Sequence, residues 1–149
     1  MTRRPVYWWT AAVLFAAAFF FLSLQREVYD FSVGLVAGPL HVLPRKLMAT
    51  VCFGILSYCV GRAADRGEKP ADWALPVLTG TLFSAFIEVA QHEQNRYLAE
   101  PFEPKVWNVI DVLTGTLGGL LAVWGLVLTR RVRQNAASSR AEAKTPGRS

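Results

Sequence analysis

The feature that most constrains this chain is the collection of its apolar residues into four long stretches. The first, residues 5–25, has no charged side chain, and it meets the roughly 20 residues that a helix needs to cross the hydrocarbon of a bilayer. Three more follow at 47–61, 73–92 and 106–129. Only 18% of the 149 residues are charged, whereas soluble domains have roughly 25%. The sequence therefore predicts an all-α integral membrane bundle of four transmembrane helices.

The second stretch is the shortest, because charged residues bracket it at Lys46 and Arg62. It crosses only if these long side chains reach toward the membrane surfaces. Four spans place eleven Lys and Arg residues on one side of the membrane and five on the other. Without the second span, twelve would lie outside and four inside, against the tendency of such residues to stay cytoplasmic. The charge pattern thus predicts four spans with both termini cytoplasmic in the cell inner membrane.

Polar residues on the third and fourth stretches recur at helical spacing. In the third stretch they fall on one face within an arc of about 80°, and they are Thr81, Ser84, Glu88 and Gln91. The fourth stretch has a corresponding face, with polar residues at one end and small residues further in. Its members are Asn108, Asp111, Gly115, Gly118 and Ala122. Gly115 and Gly119 also form a small-xxx-small pair that permits close helix packing. The two faces are predicted to pack together.

Residue counts from the span ends place Glu88 and Asp111 at one level, about 6–7.5 Å inside the outer surface. Acids are expensive at such depth and mark functional sites by default. Lys46, Arg96 and Lys105 fall on the same side. We expect an outward-facing polar cleft in which the Arg96 guanidinium lies within about 4–6 Å of either carboxylate. The alternative is that both acids only hold helices together.

A family resemblance rests on the run 87–91, Ile-Glu-Val-Ala-Gln, followed by Arg96 and by Asp111 with Gly118 seven residues later. Together with Lys46 and Leu56, this pattern resembles the VanZ-like membrane proteins over residues 45–122. Family positions occupied by Asp, His, Tyr and Asn are filled here by Arg45, Ala49, Phe53 and Gly115. Chemistry that depends on the histidine is therefore not implied. The resemblance implies a role in the cell envelope and a link to glycopeptide antibiotic resistance.

The leading hypothesis is a cleft that binds a glycopeptide, a peptidoglycan precursor or a lipid-linked sugar. Arg96 would hold an anionic group, and the other predicted ligand-binding residues are Lys46, Glu88, Gln91, Asn108 and Asp111. One alternative is an intramembrane enzyme that uses Glu88 and Asp111 as an acid and base pair on a lipid-linked substrate. Another is an envelope assembly subunit without a small ligand.

Other parts of the sequence carry weaker expectations. His41 and His92 are too isolated to predict a metal site, and no cofactor motif is present. Residues 1–128 are predicted to form the membrane domain, and the basic tail 129–149 is expected to be disordered and to contact anionic membrane lipids. A nucleic-acid partner is not expected, because no aromatic residues interleave with the basic ones. The apolar segment 31–44 contains two glycines and two prolines, which favours a re-entrant or interfacial loop.

Overall fold

Four long helices make up the part of the fold that the structure describes. The structure, a computed structural model, describes residues 4–25, 42–65, 73–98 and 105–143. The helices are α1 (Arg4–Ser23), α2 (Val42–Ala64), α3 (Ala74–Tyr97) and α4 (Lys105–Ala143). Each is long and apolar enough to cross a membrane. The predicted all-α arrangement of four candidate spans is confirmed, and it is the architecture of a multi-pass membrane protein.

Consecutive described helices run in opposite directions, because their contacts pair earlier residues of one helix with later residues of the next, and α4 packs against both α2 and α3. The peripheral helix is α1, which packs mainly on α2. Near the end of α1, the Phe19 ring lies 5.0 Å from that of Phe53, and near its start the Trp8 ring lies 6.0 Å from that of Tyr58. Among the α1 side chains that the structure describes, residues 6–23, only Ala12 is buried. The apolar surface left exposed on α1 is what a helix in contact with lipid presents.

Small residues let α4 approach its two neighbours closely. A Cβ built on Gly118 would lie 2.7 Å from the Thr50 carbonyl oxygen of α2, and one on Gly119 would lie 2.6 Å from Val77 Cα of α3. Gly115 likewise meets the backbone of α3. Real Cβ atoms do not approach other atoms so closely, so a side chain at any of these positions would force the helices apart.

Helix α2 begins five residues before the predicted span. Its first turn contains Pro44, which is tolerated there because the first backbone N–H groups of a helix have no intrahelical acceptor. Arg45 and Lys46 therefore belong to the helix rather than to a preceding loop. The predicted re-entrant segment 31–44 ends in this helix, and its residues 31–41 lie outside the described part of the chain.

Two helices extend further than predicted. Helix α3 continues to Tyr97, which places Arg96 on the helix instead of in a loop. Helix α4 continues to Ala143, so the tail expected to be disordered is helical as far as that residue. Extending an existing helix avoids the cost of nucleation, and the Ala, Arg and Gln residues beyond position 129 are good helix formers.

An ionic cluster joins three helices at the end of the bundle opposite Lys46. The Asp65 carboxylate, just after α2, accepts a 2.8 Å hydrogen bond from Arg130 of α4 and lies 3.8 Å from the Arg62 guanidinium. The Arg62 Cζ atom lies 5.6 Å from the centre of the Trp8 ring of α1, within the range of a cation–π interaction. These contacts fix α1, α2 and α4 together at this end.

The orientation of the bundle is open to a labelling test. Both native cysteines, Cys52 and Cys59, lie in α2 and would first be replaced by alanine. Because Lys and Arg favour the cytoplasmic side, a membrane-impermeant maleimide should label a cysteine at Glu100 in intact cells. It should label one at Gly67 or Ser139 only after the membrane is opened. Ser139 is exposed on α4, so burial would not explain its protection.

Labelling of position 139 from outside would contradict the predicted topology. It would also place the cleft described below on the cytoplasmic side.

Candidate functional site

The ends of α1, α2, α3 and α4 enclose a cleft of about 240 Å³. Its polar lining consists of Ser23, Gln25, Arg45, Lys46, Ser84, Glu88, Gln91 and Asp111. Its apolar lining consists of Phe19, Leu22, Met48, Ala49, Cys52, Phe53 and Ile87. The cleft therefore joins a charged rim to an apolar wall.

An ion pair between α2 and α4 lines the cleft. Lys46 Nζ donates a hydrogen bond to Asp111 Oδ1, and the two side chains are only 16% and 19% exposed. Ser84 of α3 donates a 2.7 Å hydrogen bond to the Asp111 backbone carbonyl. Opposite charges stabilise each other strongly where little water screens them. Asp111 thus joins three helices, and Lys46 supplies the basic partner that the sequence leads us to expect near the acids.

Glu88 and Gln91 lie three residues apart on α3, and both line the cleft. Gln91 Nε2 donates a 2.8 Å hydrogen bond to the Ser23 carbonyl oxygen. Gln94 Nε2 donates one of 3.3 Å to the Leu24 carbonyl oxygen. The last carbonyls of a helix have no intrahelical donor. These two glutamines therefore satisfy the end of α1 and attach it to α3 beside the cleft.

Arg96 lies away from the cleft, contrary to the expected proximity to Glu88 or Asp111. Its guanidinium is 3.9 Å from the Glu93 carboxylate, and its side chain is 74% exposed. The physical reason is that α3 stays helical through this region, so eight residues separate Arg96 from Glu88 by about 12 Å along the axis. A guanidinium on a continuing helix cannot fold back over the preceding turns as one in a loop could.

Arg45 is the basic residue that the sequence reasoning passed over. It lines the cleft beside Lys46, whereas the sequence reasoning noted it only as a residue that stands where the resembled family has Asp. The sequence signal that could have found Arg45 is its position next to Lys46. Both residues lie on α2 if this helix starts about one turn before the predicted span. Asn108 belongs to α4, but its side chain lies outside what the structure describes, so its predicted contact stays a prediction.

The cleft offers both hydrogen-bond donors and acceptors to a bound group. In the described ranges, no group of three or more His, Cys, Asp or Glu side chains is arranged to hold a metal ion. Arg45 and Lys46 can contact an anionic group, and Glu88 can accept hydrogen bonds from ammonium, amide or hydroxyl groups. A reaction that needed Asp111 as a base would first have to displace the Lys46 ammonium from it.

Comparison of the chain with known protein families, with curated proteins and with solved structures gave no match.

Proposed function

We propose that the cleft binds the polar end of a cell-envelope ligand at the outer face of the cell inner membrane. The observation that carries this proposal is the gathering of Arg45, Lys46, Glu88 and Asp111 around one cavity. Ionisable side chains inside a membrane bundle cost free energy and are retained mainly where they contact a ligand, an ion or one another. The outward orientation rests on the distribution of Lys and Arg between the two sides.

The roles of the lining residues follow from their chemistry. Arg45 contacts a carboxylate or phosphate of the ligand, the role first expected of Arg96. Its planar guanidinium matches either group with two parallel hydrogen bonds. Lys46 adds positive charge while it remains held by Asp111. Glu88 and Gln91 contact ammonium, amide or hydroxyl groups, which are common in peptidoglycan precursors and glycopeptides.

The volume of the cleft limits the size of what enters it. Sites for drug-sized ligands are about 300–1,000 Å³, larger than the roughly 240 Å³ of this cleft. A terminal group of a glycopeptide or peptidoglycan precursor is of a size that this cleft can take. A lipid-linked sugar also fits if its charged end enters. The link to glycopeptide antibiotic resistance in this proposal comes from the VanZ-like resemblance alone.

Native mass spectrometry of the protein purified from membranes in mild detergent tests the proposal. The wild-type protein should retain co-purified adducts of defined mass. Arg45→Gln should reduce the adduct fraction about tenfold or more, because a hydrogen bond between two charged groups contributes about 1.5–3 kcal/mol. Arg96→Gln is the matched control, because it removes the same charge from an exposed position outside the cleft. Equal adduct fractions in all three proteins would contradict binding in the cleft.

The variant Glu88→Gln separates this proposal from an intramembrane enzyme that uses the two carboxylates lining the cleft. A glutamine keeps much of the hydrogen bonding but cannot transfer a proton. Adducts that persist in Glu88→Gln at unchanged mass favour binding alone. An adduct whose mass differs between wild type and Glu88→Gln by a lost group would favour catalysis.

A further inference from the structure

Aromatic side chains mark the membrane surface at the end of the bundle opposite the cleft. Tyr7 and Trp9, near the start of α1, are 69% and 47% exposed, and such rings are enriched where hydrocarbon meets the lipid headgroups. The Trp8 ring, between them, lies 6.0 Å from the Tyr58 ring of α2. The Tyr58 hydroxyl in turn lies 3.3 Å from the Thr129 hydroxyl of α4. These contacts place Thr129 at the level where the headgroups begin.

The basic residues of α4 begin at this level. Arg130 donates a hydrogen bond to Asp65, whereas Arg131 and Arg133 are exposed. Along the helix axis these two exposed residues lie about 3 and 6 Å beyond Thr129. The headgroup layer is roughly 5–8 Å thick on each side of a bilayer. Both exposed arginines are therefore at the depth of the lipid phosphates.

The sequence around this level carries an excess of positive charge. Residues 62–65 and 129–140 hold five arginines and one acid, Asp65. Two of the arginines lie within 4 Å of that acid. Residues 66–72, which follow it, carry two acidic and two basic side chains, so they do not offset the excess. A partner that binds at this end of the bundle is therefore expected to be negatively charged.

We infer that Arg131 and Arg133 bind the phosphates of anionic phospholipids, such as phosphatidylglycerol, around this end of the bundle. The site lies at the opposite end from the cleft, so it does not depend on the proposed function. A guanidinium matches a phosphate with two parallel hydrogen bonds. The net negative charge of phosphatidylglycerol favours it over zwitterionic phosphatidylcholine.

The helical extension of α4 confines this lipid contact to one turn. The sequence predicts contact along the whole basic tail 129–149, because a disordered segment can lie on the membrane. A helix that leaves the bilayer cannot bring all its residues to the surface. Arg140 is exposed, but it lies about 15 Å beyond Arg130 along the axis. It is therefore outside the headgroup layer and takes no part in the site.

The test compares phosphatidylglycerol with phosphatidylcholine, both with oleoyl chains. The purified protein is mixed with equal amounts of the two lipids, and bound lipids are counted by native mass spectrometry. We expect the wild-type protein to bind at least about tenfold more phosphatidylglycerol. Arg131→Gln and Arg133→Gln should each reduce this ratio about fivefold, the contribution of one basic residue at an anionic membrane surface. Glutamine is a good helix former, so both variants should unfold at the wild-type temperature.

Two variants and one soluble compound serve as controls. Arg140→Gln removes the same charge from the same helix, outside the headgroup layer. Arg45→Gln removes it from the cleft. Both should leave the ratio of bound lipids unchanged. Glycerophosphoglycerol, the same headgroup without acyl chains, should not bind at the same concentration.

Each contrary outcome identifies a different error. A wild-type ratio near one, or a ratio that survives Arg131→Gln/Arg133→Gln, overturns the inference. Equal losses in Arg131→Gln and Arg140→Gln also overturn it, because they indicate a soluble polyanion that is attracted along the whole exposed helix. Glycerophosphoglycerol that binds as tightly as the lipid would identify a soluble phosphate compound instead. A loss in Arg45→Gln alone would place the anionic lipid in the cleft, which contradicts the inference and leaves the proposed function intact.

Discussion

Replacement of Gly118 by leucine will separate α4 from α2 and lower the free energy of unfolding by about 3 kcal/mol or more. Even a single Cβ at this position would lie 2.7 Å from the Thr50 carbonyl oxygen and 2.8 Å from the Gly54 nitrogen. Both are backbone atoms of α2, which cannot move aside as the end of a flexible side chain can. The effect is measured as reduced thermal stability in detergent.

The alanine substitutions Gly118→Ala and Gly125→Ala make a matched pair on the same helix. Both gain helix propensity of up to about 1 kcal/mol. Among the described residues, the added Cβ at Gly125 would meet only the Tyr58 ring, at 3.6 Å, which is ordinary contact. Gly125→Ala should therefore be neutral or stabilising, whereas Gly118→Ala should destabilise. Leu120→Ile, on an exposed face of α4, should have nearly no effect. Equal tolerance at Gly118 and Gly125 would show that α4 does not approach α2 closely.

The second large effect concerns the ion pair in the cleft. Lys46→Met and Asp111→Leu should each lower stability by about 2–3 kcal/mol, because each leaves one charge in a poorly hydrated site without its partner. The double variant Lys46→Met/Asp111→Leu should recover most of this loss, because it removes both charges of the pair together. The measurement is the thermal unfolding of all four proteins in one detergent.

The exposed pair of Glu93 and Arg96 serves as the control. Arg96→Met should change stability by less than about 1 kcal/mol, as expected for a pair in water. A double variant of Lys46 and Asp111 that is less stable than both single variants would contradict the argument. Such a result would mean that the ion pair stabilises the protein more than two apolar side chains at the same positions do.

Much of the architecture could be predicted from local pattern alone. The four spans follow from runs of apolar residues, a signal that needs no knowledge of tertiary structure. Counting from the span ends brings Glu88 and Asp111 to one level, and both line the cleft. The helical spacing of Gly115 and Gly118 predicts that both lie where helices pack together. A Cβ at either position would meet backbone atoms of a neighbouring helix. These features depend only on helix geometry, which is nearly the same in every protein.

Features that depend on where a helix ends could not be predicted in this way. The Arg45 and Lys46 charges interrupt the apolar run and mask the true start of α2 at Val42. If the span starts at residue 47, Lys46 lies in a loop. Its ion pair with Asp111 is then only one of several pairs that the basic residues on this side could form. The opposite error applied to Arg96, which we placed in a loop although α3 continues past it. Hydropathy reports where hydrocarbon ends, but backbone hydrogen bonding determines where a helix ends.

The length of α4 determines which molecules its last basic residues can influence. Its 39 residues span about 58 Å, almost twice the roughly 30 Å of bilayer hydrocarbon. Arg140 lies twelve residues beyond Leu128 and about 18 Å further along the axis. At physiological ionic strength the electrostatic screening length is about 8 Å. When the helix stands near the membrane normal with Leu128 at the hydrocarbon edge, the charge of Arg140 is therefore in the aqueous phase and screened from lipid headgroups.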